Sequence, residues 1–239
     1  GISFAKPCFV RAGDYGDLAE CGLVVIAAGA NQKPGETRIE LLGRNRVIMS
    51  SIIEHLMAVN QSAVLLIVSN PVDVLTYMAQ KMSGLPAGQV IGSGTVLDTA
   101  RLKYLVGQHL NVDSRNVHAF IIGEHGDSEL AVWSSANISG VDLADYCRIT
   151  GKDDSFGAMQ RIYENVRDAA YSIIEGKGAT YYGIGMAVRR IAEAIVRDEH
   201  SVLPVSSMIS GHYGVDGICL GLPAVVGRNG AESVLDIPL

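Results

Sequence analysis

The chain has 239 residues, of which 48% are hydrophobic and 18% are charged, a composition that supports a globular protein with a sizeable core. Its formal net charge of -6 argues against a nucleic-acid partner, because such a partner needs clustered basic residues to neutralise its phosphates. Apolar runs fall far short of the ~20 residues that cross a bilayer, and the four cysteines are scattered, so we expect no membrane partner and a cytoplasmic location.

The first third of the chain alternates between apolar segments typical of strands and longer segments typical of helices. The apolar segments stop at glycine or at Asn70-Pro71, as strands buried on both faces of a parallel sheet do. This alternation predicts a parallel α/β sheet that binds ligands at the carboxyl ends of its strands. The polar loop at 31–38 and Asn70 both follow such ends. The predicted strands are 21–30, 62–69 and 90–91, and the predicted helices are 39–60 and 74–83.

The centre of the chain contains a histidine with potential partners. A strand predicted at 117–122 ends in a polar turn that holds His125, and a rigid strand end can direct an imidazole into a cleft. The helix predicted at 96–110 carries Asp98 and Arg101 one turn apart, on one face. Asp98 could accept a hydrogen bond from the imidazole and favour its protonated form, while Arg101 offers a planar donor for a carboxylate. The alternative is a structural histidine near a surface ion pair.

The last part of the chain changes character. Residues 153–196 have a mostly helical pattern, interrupted by glycines at 176 and 178. Residues 201–239 contain β-branched runs between glycine-rich turns, as strands do. Helical segments followed by separate strands predict an α+β unit rather than a continuation of the parallel sheet.

Several motifs, taken together, resemble one known family. The first segments are GANQKPGETR at 29–38, SNPVD at 69–73, GSGTVLDTAR at 92–101 and IGEHGD at 122–127, and later ones are KGATYYGI at 177–184 and GLPAVVG at 221–227. In this order they resemble the signature segments of the lactate and malate dehydrogenase family. The resemblance covers essentially the whole chain, and a set of motifs is far more specific than any one of them.

The resemblance implies an α/β fold in which a partial Rossmann-type parallel sheet precedes an α+β substrate-binding domain. The implied partial dinucleotide-binding domain is 1–92, the implied substrate and catalytic domain is 93–239, the cofactor is NAD, and the assembly is a homotetramer or a dimer. The family's GxGxxG turn and its ribose-binding acid are not found in this sequence, so we expect a further βαβ unit ahead of Gly1. A truncated, non-catalytic binding or assembly module is therefore the alternative.

The resemblance also implies residue roles. His125 corresponds to the acid/base that exchanges a proton with the substrate oxygen, and Asp98 to its orienting partner. Arg38 corresponds to an arginine that swings over the substrate and stabilises negative charge on the carbonyl oxygen. The implied substrate-binding residues are Gln32, Arg38, Asn70, Arg101 and Thr180, and the implied cofactor-binding residues are Gly29, Ala30, Asn31, Asn70 and Ile184.

Gln32 suggests which substrate is used. The family's malate dehydrogenases have an arginine at this position, because oxaloacetate presents a second carboxylate. A neutral amide accepts the methyl group of pyruvate, so the resemblance implies interconversion of L-lactate and pyruvate, as in glycolysis. Lys33 is adjacent, which keeps malate or another 2-hydroxyacid as an alternative substrate.

A pair of residues resembles an effector site. Many bacterial lactate dehydrogenases of this family are activated by fructose 1,6-bisphosphate, which they bind at a subunit interface through a histidine and an arginine. His118 corresponds to that histidine, and Lys103 occupies the arginine position, where it keeps the charge but loses the planar fork. Fructose 1,6-bisphosphate is therefore a possible effector, and a strand histidine without this role is the alternative.

Overall fold

The computed structural model describes residues 7–30, 38–152 and 156–239, with nine strands and seven helices in this part of the chain. The strands are β1 (Leu23–Ile26), β2 (Val64–Ile67), β3 (Val90–Gly92), β4 (Val117–Ile122), β5 (Leu130–Ile138), β6 (Val141–Asp142), β7 (Ser201–Met208), β8 (Cys219–Gly227) and β9 (Gly230–Val234). The helices are α1 (Arg38–Met57), α2 (Val72–Ser83), α3 (Val96–Leu110), α4 (Leu143–Thr150), α5 (Phe156–Arg167), α6 (Ala169–Lys177) and α7 (Tyr182–Val196).

The larger sheet has the strand order β1-β2-β3-β7-β8-β9. The first three strands are parallel, which confirms the predicted α/β sheet. Every residue of β2 is buried, because its side chains alternate between two cores. Leu65 and Ile67 pack with α1 and α2 on one face, and Val64 and Leu66 pack with α7 on the other. A central strand covered by helices on both faces explains its uninterrupted apolar sequence.

Strand β1 differs from its prediction. We expected burial on both faces, but only Ile26 of this strand is buried and the Val25 side chain is 42% exposed. Within the described residues, β1 lies at the edge of the sheet and pairs with β2 alone. An edge strand has one neighbour, so an apolar sequence does not by itself bring burial.

The C-terminal strands extend the same sheet. Strand β7 pairs with β3 in antiparallel orientation through Gly92 and Ser206, and β8 and β9 add further antiparallel neighbours. The predicted division between 92 and 93 therefore separates segments whose strands share one sheet. It remains a prediction about domains.

The smaller sheet has the order β4-β5-β6 and is antiparallel. Its buried face shares a core with α3, α4 and α5, which includes Leu102, Ile121, Cys147 and Val166. Helix α4 begins where Asp142 accepts hydrogen bonds from its first amides, and ends at Gly151, whose φ of 66° suits glycine. This unit places α3 and the end of β4 against the larger sheet. In the described ranges, no helix is both long and apolar enough to span a bilayer.

Candidate active site

A cavity of about 280 Å³ lies at the carboxyl end of β2, where the two sheets meet. The end of β2, the first two turns of α3, the turn after β4 and the helices α5 and α6 all contribute to its wall. Its lining combines cationic, acidic and apolar side chains. The lining residues are Asn70, Pro71, Asp98, Arg101, Glu124, His125, Gly126, Asp127, Glu129, Arg167, Ala170, Tyr171 and Ile174.

The cavity contains the histidine, the aspartate and the arginine that the sequence singled out. His125 Nδ1 lies 2.6 Å from Asp98 Oδ2, and Arg101 Nη1 donates to the other Asp98 oxygen at 3.1 Å. Asp98 is only 3% exposed, so its hydrogen bonds are shielded from water. A carboxylate only accepts hydrogen bonds, so Nδ1 carries a proton in this pair. The Nε2 atom is then the ring nitrogen that can exchange a proton with a ligand.

The charges around His125 favour its protonated form. Burial lowers the pKa of the imidazole, but the hydrogen bond and the negative charge of Asp98 raise it, and the charge of Asp73 and that of Glu129 in its ionised form add smaller increases. The net effect is a pKa above the ordinary value of a histidine. An imidazole of this kind can act as a proton donor near neutral pH.

The turn that carries His125 is held in place by hydrogen bonds to β8 and to Thr95. Gly123, with a φ of 95°, exchanges two backbone hydrogen bonds of 2.8 and 2.9 Å with Gly221 of β8. A Cβ atom at Gly221 would lie 2.9 Å from Thr95 Oγ1 and 3.1 Å from the Gly123 carbonyl oxygen, so only glycine allows this approach. The Thr95 hydroxyl in turn donates to the Ile121 carbonyl at 2.6 Å.

Asp73 is a second buried acid at the site, and sequence reasoning gave it no role. Its Oδ2 accepts a hydrogen bond from the His125 amide at 2.8 Å, and its Oδ1 accepts from the Ser206 hydroxyl at 2.6 Å. Burial raises the pKa of Asp73. The carboxyl group therefore connects α2 and β7 to the backbone of His125. The available signal was an acid in the first turn of the helix that follows Asn70-Pro71.

Asn45 joins the ends of two parallel strands, and sequence reasoning also missed it. Its side chain accepts a hydrogen bond from the Ala30 amide at 2.7 Å and donates to the Asn70 carbonyl at 2.9 Å. It is 3% exposed and lies on α1, the helix that begins at Arg38. The buried Asn45 amide therefore links the chain after β1 and the chain after β2 to helix α1. The available signal was a polar residue among the apolar positions that form the buried face of this helix.

Replacing Asn45 with alanine should lower the free energy of unfolding by about 1–3 kcal/mol, because two hydrogen bonds to the strand ends are lost. Urea denaturation measures this change. Ser50→Ala, on the same helix, removes a hydroxyl that donates to the Met82 sulfur; it is the matched control, and its free energy of unfolding should be close to that of the parent. Equal stability of the Asn45 variant and the parent would show that these hydrogen bonds add nothing.

Three residues with implied roles cannot be compared with the structure. Gln32 and Asn31 lie outside the described residues. Arg38 is described only as the first residue of α1, and its side chain is outside the described part. Their roles remain predictions from the resemblance.

The residues implied at the cofactor side lie around the strand ends. Gly29 is exposed after β1, and a Cβ atom there would be 3.4 Å from Asn45 Oδ1 and 3.5 Å from Ser69 Cβ. Ile184 of α7 is half-buried in the core that also contains Leu97 of α3. Thr180 precedes α7, is exposed and is not among the described residues that line the cavity.

The two residues of the implied effector site lie away from the cavity. Lys103 is half-buried on α3, and burial lowers its pKa. His118 is exposed on β4, opposite Asn137 of β5. Neither lines the cavity.

Comparison with known proteins identifies the family. Residues 2–92 match the family model described as the lactate/malate dehydrogenase NAD binding domain, and residues 95–239 match the alpha/beta C-terminal domain of the same family. The chain belongs to the lactate/malate dehydrogenase family, whose cofactor is NAD.

Its relatives narrow the assignment within this family. The L-lactate dehydrogenase of Thermoanaerobacter sp. (strain X514) is 54% identical over all of this chain and 77% of the relative. L-lactate dehydrogenase 1 of Clostridium acetobutylicum is 50% identical over all of this chain and 76% of its own length. These relatives support an NAD-dependent L-lactate dehydrogenase and favour it over a malate dehydrogenase.

Solved structures agree with this assignment. The ligands-bound minor L-lactate dehydrogenase from Enterococcus mundtii has a TM-score of 0.91 and 41% identity, over 95% of this chain and 72% of that one. The lactate dehydrogenase MGS-M5, from a Medee basin deep-sea metagenome library, has a TM-score of 0.93 and 49% identity, over 98% of this chain and 75% of that one. The fold is therefore that of lactate dehydrogenases.

Proposed function

We propose that this chain interconverts L-lactate and pyruvate with NAD, and that His125 is the group that exchanges a proton with the substrate oxygen. The observation that carries the proposal is the 2.6 Å contact between His125 Nδ1 and Asp98 Oδ2 in a cavity that also contains Arg101. A histidine oriented by a buried carboxylate is suited to acid/base catalysis.

The proton moves through Nε2 of His125. In pyruvate reduction the imidazolium donates this proton to the carbonyl oxygen, and in lactate oxidation the neutral ring accepts the proton of the hydroxyl group. Asp98 holds the ring in one tautomer and stabilises its positive charge through Nδ1. NAD, when bound, accepts or supplies the hydride at the carbon that bears this oxygen.

Arg101 is proposed to bind the substrate carboxylate. One of its guanidinium N–H groups donates to Asp98, and a guanidinium has five such donors, so others remain for a carboxylate. The hydrogen bond to Asp98 limits the orientations of the arginine. A carboxylate held by Arg101 would bring the adjacent carbonyl group toward His125.

The strand ends fit the nicotinamide part of NAD. Gly29 and Ala30 are small residues at the carboxyl end of β1, and Asn70 offers an amide at the end of β2, as ligand crevices of parallel sheets require. Ile184 supplies an apolar surface on α7. Gly29, Ala30, Asn70 and Ile184 would hold this part of the cofactor, together with Asn31 by resemblance.

The direct test is an assay of NADH oxidation with pyruvate and, separately, with oxaloacetate. We expect faster turnover with pyruvate. Faster turnover with oxaloacetate would assign malate as the product. A folded chain that turns over neither acid would instead support the non-catalytic module.

Replacing Gln32 with arginine should raise the preference for oxaloacetate over pyruvate by at least about tenfold, since a cation would meet the second carboxylate. The measurement is the ratio of kcat/KM values for the two acids. Gln32→Lys tests whether charge without a planar fork is enough. An unchanged ratio in Gln32→Arg would indicate that Lys33 or another group determines the substrate preference.

The raised pKa of His125 predicts opposite pH dependences for the two directions. Because pyruvate reduction needs the protonated ring, kcat/KM for pyruvate should fall about tenfold per pH unit above this pKa. Asp98→Asn removes the charge that raises the pKa of His125, so kcat/KM of this variant should begin to fall at a lower pH. Asp145→Asn on the surface of α4 is the control. If kcat/KM of Asp98→Asn began to fall at the same pH as that of the parent, Asp98 would not be the group that raises this pKa.

We also propose that the protein forms a homo-oligomer, a tetramer or a dimer, in the cytoplasm. Exposed apolar side chains at Tyr181, Tyr182 and Met186 support association, since monomers seldom expose such groups together. Free thiols, two of them buried, suit a reducing compartment. Fructose 1,6-bisphosphate remains a candidate effector through Lys103 and His118, and its effect on turnover tests this role.

A further inference from the structure

Glu129 is a buried acid in the cavity wall that the proposed reaction does not use. It is 5% exposed and lines the same cavity as His125 and Arg101. Among the described residues, its Oε1 atom has no hydrogen-bond partner. Its backbone carbonyl accepts a hydrogen bond from the Tyr163 hydroxyl of α5, which holds the residue in place just before β5.

An unpaired, buried carboxyl oxygen in a cavity wall is costly when it is charged. A Glu129 oxygen lies within 4.8 Å of ligand atoms of Asp98 and His125. Burial, followed by the negative charge of Asp98, raises the pKa of Glu129 to about 8, although nearby cations oppose this rise. The charged and titratable groups that face it are Asp98, His125 and Arg101 at the catalytic centre, and Arg167 and Tyr163 on α5.

We propose that Glu129 controls entry of the anionic substrate: its neutral carboxyl group permits the substrate carboxylate to bind, and its ionised form repels it. This inference rests on the proposed function, because it takes lactate or pyruvate as the anion and Arg101 as its partner. Asp98 already places one negative charge at the site. A second carboxylate in a partly buried cavity would compete with the substrate for the positive charge of Arg101.

Lactate oxidation separates this effect from the titration of His125. The neutral imidazole is the active form in this direction, so His125 makes kcat/KM rise with pH. Ionisation of Glu129 should make it fall again above about pH 8. The fall should come from a higher KM for lactate with little change in kcat, because charge repulsion acts on binding.

The test is kcat/KM for lactate at saturating NAD, followed from about pH 6 to about pH 10 in the parent and in Glu129→Gln. In the parent, we expect kcat/KM for lactate to fall about tenfold per pH unit above its upper pKa. In Glu129→Gln, it should fall less than about twofold over the same range. Glu124→Gln removes another acid from the same cavity wall and should keep the fall. Glu129→Asp retains an ionisable group at this position, so its kcat/KM for lactate should fall at alkaline pH as that of the parent does.

An alkaline fall of parental size in Glu129→Gln would overturn the proposal, as would a parent whose KM for lactate does not rise at high pH. The parent measurement needs no variant, so the proposal is testable even if Glu129→Gln does not fold. Circular dichroism at each pH checks that the proteins stay folded. Measurable lactate oxidation with an unchanged profile would reject the role of Glu129 alone, whereas absent turnover would reject the proposed function.

Discussion

Replacing His125 with asparagine is expected to lower kcat for pyruvate reduction by about a hundredfold to ten thousandfold, the range that a positioned general acid contributes. Asparagine can still hydrogen-bond to Asp98, so the cavity should keep its shape, but it cannot deliver a proton. The affinity for NADH should be nearly unchanged, because the nicotinamide cofactor is proposed to bind at the strand ends. Steady-state kinetics and NADH fluorescence titration measure the two quantities.

The control for this experiment is His55→Asn. His55 is exposed on α1, stacks on Tyr15 and does not line the cavity, so its replacement should leave turnover close to that of the parent. Comparable kcat values for His125→Asn and the parent would refute proton transfer by His125. A loss of NADH affinity as large as the loss of turnover would indicate a structural role instead.

The second large effect is expected at Arg101. Replacing it with glutamine should raise the KM for pyruvate and lower kcat/KM by roughly 30-fold to several thousandfold, since removing one partner of a desolvated charge pair costs about 2–5 kcal/mol. The kcat/KM of Arg101→Lys for pyruvate should lie between that of Arg101→Gln and that of the parent, because lysine keeps the charge but cannot make a two-pronged contact.

The matched control for Arg101→Gln is Arg115→Gln. Arg115 likewise forms a local ion pair with an aspartate, Asp113, but its side chain is 88% exposed, so its replacement should leave the KM for pyruvate unchanged. If kcat fell in Arg101→Gln while KM for pyruvate stayed at the parent's value, Arg101 would act through Asp98 rather than on the substrate carboxylate.

The local sequence determined the elements that carry the proposed chemistry. Helix α3 and strand β4 have the bounds that their patterns predict, and the parallel order of β1, β2 and β3 follows from alternating strands and helices. Asp98 and Arg101 share a face because helical spacing places them one turn apart. Periodicity and turn residues act over a few positions, so the sequence expresses them directly.

Strands β5 and β6 of the smaller sheet were not predicted. Strand β5 buries only Val132, Ala136 and Ile138, and its sequence LAVWSSANI contains small and polar residues that weaken a strand pattern. Helix α4 follows it with only eight residues. Their stability depends on a core shared with α3 and α5, which lie elsewhere in the chain. Short elements of this kind form because of tertiary contacts rather than local propensity.

The tertiary structure also decided how the cavity is completed. Asp73 reaches the His125 amide, Asn45 joins two strand ends, and Glu129 becomes a buried acid, all through contacts between residues far apart in sequence. The sequence by itself determined the family and the parallel strands, and it singled out His125 and Asp98, whose part in proton transfer is proposed here. Burial, and with it the pKa of each acid, depends on what packs against a side chain from other elements, so only the folded chain could determine the environment of Glu129.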